Sequence, residues 1–158
     1  MEKFSGRQLV EETKPLRKNN DPENQLVNKF IKWSKANGFF MLKIESKAKW
    51  NSELQTYTPD PSFPDGCSDT GGTDNLGRSL WVEWKAPKKA TPSNLQDNQN
   101  LFLRERIKQN AFAGYFDSIE KFYETYLVWI SLEAGVNRQD FLLSLLPPEP
   151  ETDKSPLF

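Results

Sequence analysis

Residues Ser79 to Lys85 read SLWVEWK, and this stretch constrains the fold more than any other. Leu80, Val82 and Trp84 alternate with Trp81, Glu83 and Lys85, the period of two that marks a β-strand. The pattern alone leaves open which set faces the core. Either way, Glu83 and Lys85 are two residues apart and leave the strand on the same face. An acid and an ammonium therefore emerge side by side.

The flanking sequence supplies helices and further strands. Asp21-Pro22-Glu23 predicts a helix start, with Asp21 as N-cap, Pro22 at the first helical position and Glu23 at the positive end of the helix dipole. Leu26, Val27, Phe30, Ile31 and Trp33 continue it near a 3.6 period, and Asn37-Gly38 ends it. Phe39 to Glu45 predicts a strand. Residues 46–62 read as a loop or a frayed hairpin. The Gly-, Asp- and Pro-rich stretch 63–77 implies tight turns around a short strand at Cys67 to Thr70, with a Gly71-Gly72 turn after it. A basic loop covers 86–94, and a long amphipathic helix is expected from Ser93 to Gln109. Ala111 to Phe116 predicts a strand. Ser118 caps a helix through Phe122, Tyr126 and Trp129, and a short helix follows at Arg138 to Leu145. Helices interleaved with strands predict an α/β fold, a small mixed β-sheet flanked by helices. The expected organisation is a mobile arm over 1–20, a folded domain over 21–146 and a disordered proline-rich, acidic tail over 147–158.

Composition narrows the chemistry. The 158 residues suffice for one domain. The sequence contains no histidine and one cysteine, Cys67. A histidine general base and the usual zinc sites are thereby excluded, so a metal here is held by oxygen: magnesium, manganese or calcium. No apolar run reaches the roughly 20 residues that span a bilayer, and the charged first residues are no secretory signal. These features predict no membrane association and a reducing, cytoplasmic location. A net charge of −1 argues against a sequence-independent DNA coat but not against an enzyme with a local basic rim.

Asp69 joins Glu83 and Lys85. It comes from the preceding predicted strand, so its carboxylate can approach Glu83 across the sheet. Two carboxylates at one point can hold a hard divalent cation. Taken singly, a Glu-x-Lys pair on a strand is commonly a surface ion pair worth less than about 1 kcal/mol, and an aspartate beside glycines is commonly a turn residue. The ordered set is what carries weight.

That set resembles the PD-(D/E)xK nuclease superfamily, and within it the VRR-NUC family. The similarity runs from Glu23 to Ser118. It comprises Gly66-Cys67-Ser68-Asp69-Thr70-Gly71-Gly72, then Leu80-Trp81-Val82-Glu83-Trp84-Lys85-Ala86-Pro87, then Thr91-Pro92 leading to Gln96 and Gln99, then Ala113-Gly114-Tyr115-Phe116-Asp117-Ser118. The resemblance implies a restriction-endonuclease-like core and a Mg2+- or Mn2+-dependent endodeoxyribonuclease. It implies Asp69 and Glu83 as metal ligands and Lys85 as catalytic lysine. Glu23 would be an auxiliary acid, and Gln99 would position the lysine or the scissile phosphate. Gln99 is favoured over Gln96 by its spacing to Phe102 and Leu103. Asp65, in a literal Pro-Asp, and Asp74 are the alternatives to Asp69. Stand-alone members of this size resemble those of bacteriophages, which act as homodimers on branched, flap or junction DNA.

Lys43, Lys47 and Lys49 on one side, and Lys88 and Lys89 on the other, are expected to flank the phosphate backbone. Trp50 and Tyr57 are candidates to stack on unpaired bases, as is Trp84, for which core packing is favoured. The ending Ser155-Pro156-Leu157-Phe158 is a candidate docking peptide for a protein partner. The rival expectation is a catalytically silent module of the same fold that binds nucleic acid or a partner protein.

Overall fold

The computed structural model describes residues 21–45 and 49–151. The expected arm over 1–20, Lys47, and the docking peptide at the C-terminus lie outside the described residues.

Helix α1 (Pro22–Ala36) starts where Asp21 Oδ1 accepts a hydrogen bond from Glu23 N at 3.1 Å, with proline in the first turn. Val27, Phe30 and Ser34 form its buried stripe. Strand β1 (Phe40–Lys43) follows. The stretch read as loop or frayed hairpin folds as a hairpin, β2 (Lys49–Asn51) paired antiparallel with β3 (Thr56–Thr58), in a separate two-stranded sheet.

The main sheet has the order β1-β4-β5-β6, with β4 at Thr70–Thr73, β5 at Ser79–Trp84 and β6 at Phe112–Phe116. The first three strands pair antiparallel and β5 pairs parallel with β6. Strand β4 begins at Thr70, later than expected, because Asp69 is occupied otherwise and Ser68 Oγ donates to the Thr70 carbonyl. Gly71 and Gly72 make no turn; they lie inside β4. A Cβ on Gly71 would meet the Trp81 ring at 2.7 Å, and one on Gly72 would run into the Phe40 carbonyl oxygen. These glycines let neighbouring strands and side chains approach closely.

The crossover from β5 to β6 carries a 3-10 turn (Pro92–Asn94) and helix α2 (Asp97–Lys108), which starts four residues later than the sequence predicts. Leu95 is extended and buried, and the chain turns helical only after Gln96, where Gln96 N donates to Gln99 Oε1. Helix α3 (Ile119–Ser131) is capped by Ser118 Oγ on Lys121 N, as the sequence predicts, and α4 (Val136–Ser144) packs on α2 and α3.

Three layers result. Leu80, Val82 and Trp84 are buried against α1 and α3, where Phe30 lies 4.6 Å from the Trp84 ring and 4.9 Å from Phe122. Trp84 is a core residue, not a stacking platform. The opposite face carries Trp81, Glu83 and Lys85 beneath α2, with Trp81 5.6 Å from Phe102. Both faces of β5 are thus covered, which settles the ambiguity in its pattern.

The folded unit does not end at Leu146. Asn100 Nδ2 donates to the Pro147 and Pro148 carbonyls at 3.4 and 3.0 Å, and Arg104 holds the Pro147 carbonyl as well. Among the described residues no helix is long and apolar enough to cross a membrane.

Candidate active site

Strand β5 delivers Glu83 at its penultimate position and Lys85 just past its end, where Lys85 N donates to Phe116 O at 2.9 Å. Antiparallel pairing sets Thr70 opposite Val82. One more residue of the same register brings Asp69 across from Glu83, and directly opposed residues share a face. Asp69 is fixed twice: its Oδ2 accepts from Trp84 N at 2.8 Å and its carbonyl accepts from Ile44 N at 2.7 Å.

Glu83 is 2% exposed, deep for a carboxylate. Its Oε1 accepts from Lys85 Nζ at 2.9 Å and from Gln99 Nε2 at 2.6 Å. Its Oε2 is buried with no hydrogen-bond partner. Gln99 stands in the first turn of α2 and completes the arrangement. Its Oε1 accepts from Lys85 Nζ and from Gln96 N, each at 3.1 Å. One side chain therefore caps the helix and ties the lysine to the glutamate.

Three acids influence one another. Burial first, then the charges of Asp69 and Glu23, push the Glu83 carboxyl up to about 7, against the pull of Lys85. Burial also raises Asp69, opposed by the Trp84 N–H, Lys85 and Lys43. Glu23, half-buried in the first turn of α1, is raised by burial and by Asp69, with Lys85 and the Ala86 N–H opposing. Close acids that lift one another's pKa mark a place where added positive charge is favourable.

Asp69 and Glu23 line three open depressions, and Glu83 lies buried behind them, lining none. Asp69 lines one of about 340 Å³ with Glu23, Asn24 and Lys43. It also lines a cleft of about 790 Å³ between the 59–67 loop and the start of α2. Glu23 and Lys85 share a third, of about 300 Å³, with Lys89 and Asn94.

The structure therefore gathers Glu23, Asp69, Glu83, Lys85 and Gln99. It separates the alternatives from them. Asp74 is buried at the far end of the β4–β5 hairpin, where its carboxylate accepts from Leu76 N, Arg78 and the Tyr126 hydroxyl. Asp65 sits on the cleft rim and accepts from Asn98 Nδ2 at 3.1 Å. The Gln96 side chain is exposed. Among the basic candidates, Lys43 lies beside Asp69 and pairs with Glu45 at 3.3 Å. Lys49 is on the hairpin, 2.9 Å from Asp60. Lys88 and Lys89 are exposed in the turn after β5. Trp50 and Tyr57 pair across the hairpin with ring centroids 5.2 Å apart, both largely exposed.

Sequence reasoning missed Gly66 and Asn98 as a unit. Gly66 has φ +70°, and a Cβ there would run into the Asn98 backbone. The glycine lets the cleft loop touch the start of α2. The one available signal was the Asp65-Gly66 turn pair.

Among the described residues no group of three or more His, Cys, Asp or Glu side chains forms a metal cluster by itself. Two carboxylates nevertheless fit Mg2+, which is commonly held by one or two protein carboxylates with waters and substrate phosphate completing its shell. The orphaned Glu83 Oε2 beside Asp69 is the observation that fits such an ion. Compared with protein-family models, curated proteins and solved structures, the chain matches none of them.

Proposed function

We propose that this chain is a divalent-metal-dependent endodeoxyribonuclease that hydrolyses phosphodiester bonds, selecting branched, flap or junction DNA. One observation carries the reading: buried Glu83 keeps one oxygen on Lys85 and Gln99 and the other without a partner, beside Asp69. A merely structural ion pair has no reason to leave a carboxylate oxygen buried and orphaned.

Asp69 and Glu83 would hold Mg2+ or Mn2+. When bound, the ion polarises the phosphate and makes its water a stronger nucleophile. Lys85 has one ammonium hydrogen beyond those used by Glu83 and Gln99, and directs it at the attacking water or the phosphate oxygens, where negative charge develops. Glu23, whose carboxyl is raised and which borders the same depression as Lys85, would accept a proton from the water that attacks phosphorus, while the P–O bond to the leaving sugar oxygen breaks and that oxygen takes a proton from solvent. Gln99 fixes the lysine. Lys43, Lys88 and Lys89 supply the basic rim.

The second reading is a silent module that grips nucleic acid or a partner protein; the net charge of −1 favours it. A plasmid-nicking assay with magnesium or manganese separates the two. Cleavage that stops with chelator and in Glu83→Ala supports the enzyme. Cleavage that survives both, or wild type that never cuts, defeats it. Flap, junction, single-stranded and linear duplex substrates then test the selectivity, and the mass in solution tests a homodimer.

A further inference from the structure

We propose that Arg106 grips a backbone phosphate of the bound DNA strand near the scissile one. This contact rests on the nuclease reading above.

Four arginines lie among the described residues. Three have hydrogen-bond acceptors on their guanidinium groups. Arg78 is held by Asp74 and Tyr126, Arg104 by Asn100 and Pro147, and Arg138 by the carbonyls of Ile130 and Leu132. Arg106 differs. Among the described residues no acid or carbonyl bonds it, and its buried Nε has no partner. Its guanidinium instead lies over Phe102 at 5.3 Å and over Trp81 at 6.0 Å. Aromatic support fixes the orientation of the fork without using its donors. A cation near the end of α2 gains from the helix dipole, but that gain does not explain a guanidinium left without an acceptor.

Its place fits a strand leaving the acid cluster. Trp81 lies on the same face of β5 as Glu83, two residues or about 6.6 Å away. Arg106 lies seven residues beyond Gln99 on α2, about 10.5 Å and nearly two full turns, so both side chains share one helix face. The Cys67 thiol, on the wall of the large cleft, feels Glu83, Asp69 and Arg106 together. The terminal Nη groups of this planar fork, which bond no acceptor among the described residues, match a phosphate's paired oxygens.

Arg106→Met keeps a stem over the rings and removes the charge. Binding of a labelled forked DNA is measured across a salt series in a Glu83→Gln background, which prevents cutting. Arg106→Met is expected to weaken binding about tenfold and to lower the salt slope by about 0.7–0.9. In the wild-type background it should raise KM and leave kcat within about twofold. Arg106→Gln serves the same test should Arg106→Met not fold. Unchanged affinity and slope in a folded variant, with wild-type cleavage intact, overturns the Arg106 contact alone. Arg106-dependent binding by a chain that never cuts overturns the nuclease reading and sustains the contact. A wild type that neither binds nor cuts DNA overturns both.

Discussion

Gln99 Nε2 lies 2.6 Å from Glu83 Oε1, and the same amide's oxygen accepts from both Lys85 Nζ and Gln96 N. A helix cap and a candidate catalytic pair thus share one side chain. Gln99→Ala should lower the cleavage rate about tenfold or more, each tenfold being roughly 1.4 kcal/mol of barrier. It should also cost about 1 kcal/mol of stability through the lost cap. Urea unfolding and plasmid nicking on one preparation separate the two effects.

Lys85→Met should abolish turnover and leave divalent-ion binding largely intact. Titration calorimetry with Mn2+ checks this. Loss of ion binding together with turnover would reassign the lysine as a structural support for Glu83.

The Glu83 carboxyl, pushed up to about 7 from an ordinary 4.5, makes stability depend on pH. The folded chain holds that proton more tightly than the unfolded chain. Its contribution is complete below about pH 4.5 and is lost as pH rises through about 7, on the order of 3 kcal/mol in total. In chelator, Glu83→Gln should therefore melt above the wild type at pH 8 and converge with it near pH 4.5. The same variant should not cleave DNA. A wild type that outlasts Glu83→Gln at pH 8 without metal would contradict the burial argument.

Asp74 predicts the opposite pattern. Hydrogen bonds from Arg78, Tyr126 and two backbone N–H groups outweigh burial and hold its carboxyl below the usual range. Its contribution is present above pH 3.8 and is lost as pH falls below that. Asp74→Ala should cost about 2–4 kcal/mol at pH 7, since it strands Arg78 and Tyr126. Metal-dependent nicking per folded molecule should be unaffected. The urea midpoint and specific activity check both halves.

Gly66→Ala should cost about 1 kcal/mol from its left-handed backbone alone, and more from contact with the start of α2. Cleavage should fall with it, because the loop carrying Cys67 and Asp69 must shift. Activity that persists at full level would show that the loop and α2 move independently.

The α/β class, the interleaving of helices and strands along the chain and the Glu-x-Lys strand were legible in the sequence because they depend on local periodicity and capping. Asp21, Pro22 and Ser118 announce helix starts through their own side-chain chemistry. A period of two puts Glu83 and Lys85 together whatever surrounds them. Tertiary structure decided the rest. Only strand register brings Asp69 opposite Glu83, and only the packing of α2 over Trp81 takes Glu83 out of water. Gly71 and Gly72 read as a turn because a glycine signals conformational freedom locally, whereas their role is to admit Phe40 and Trp81 from elsewhere in the chain. Arg106 carried no local signal, because an arginine's lack of an acceptor is a property of its neighbours in space. Local sequence fixes which way a side chain leaves the backbone; burial and the partners it meets belong to the assembled layers.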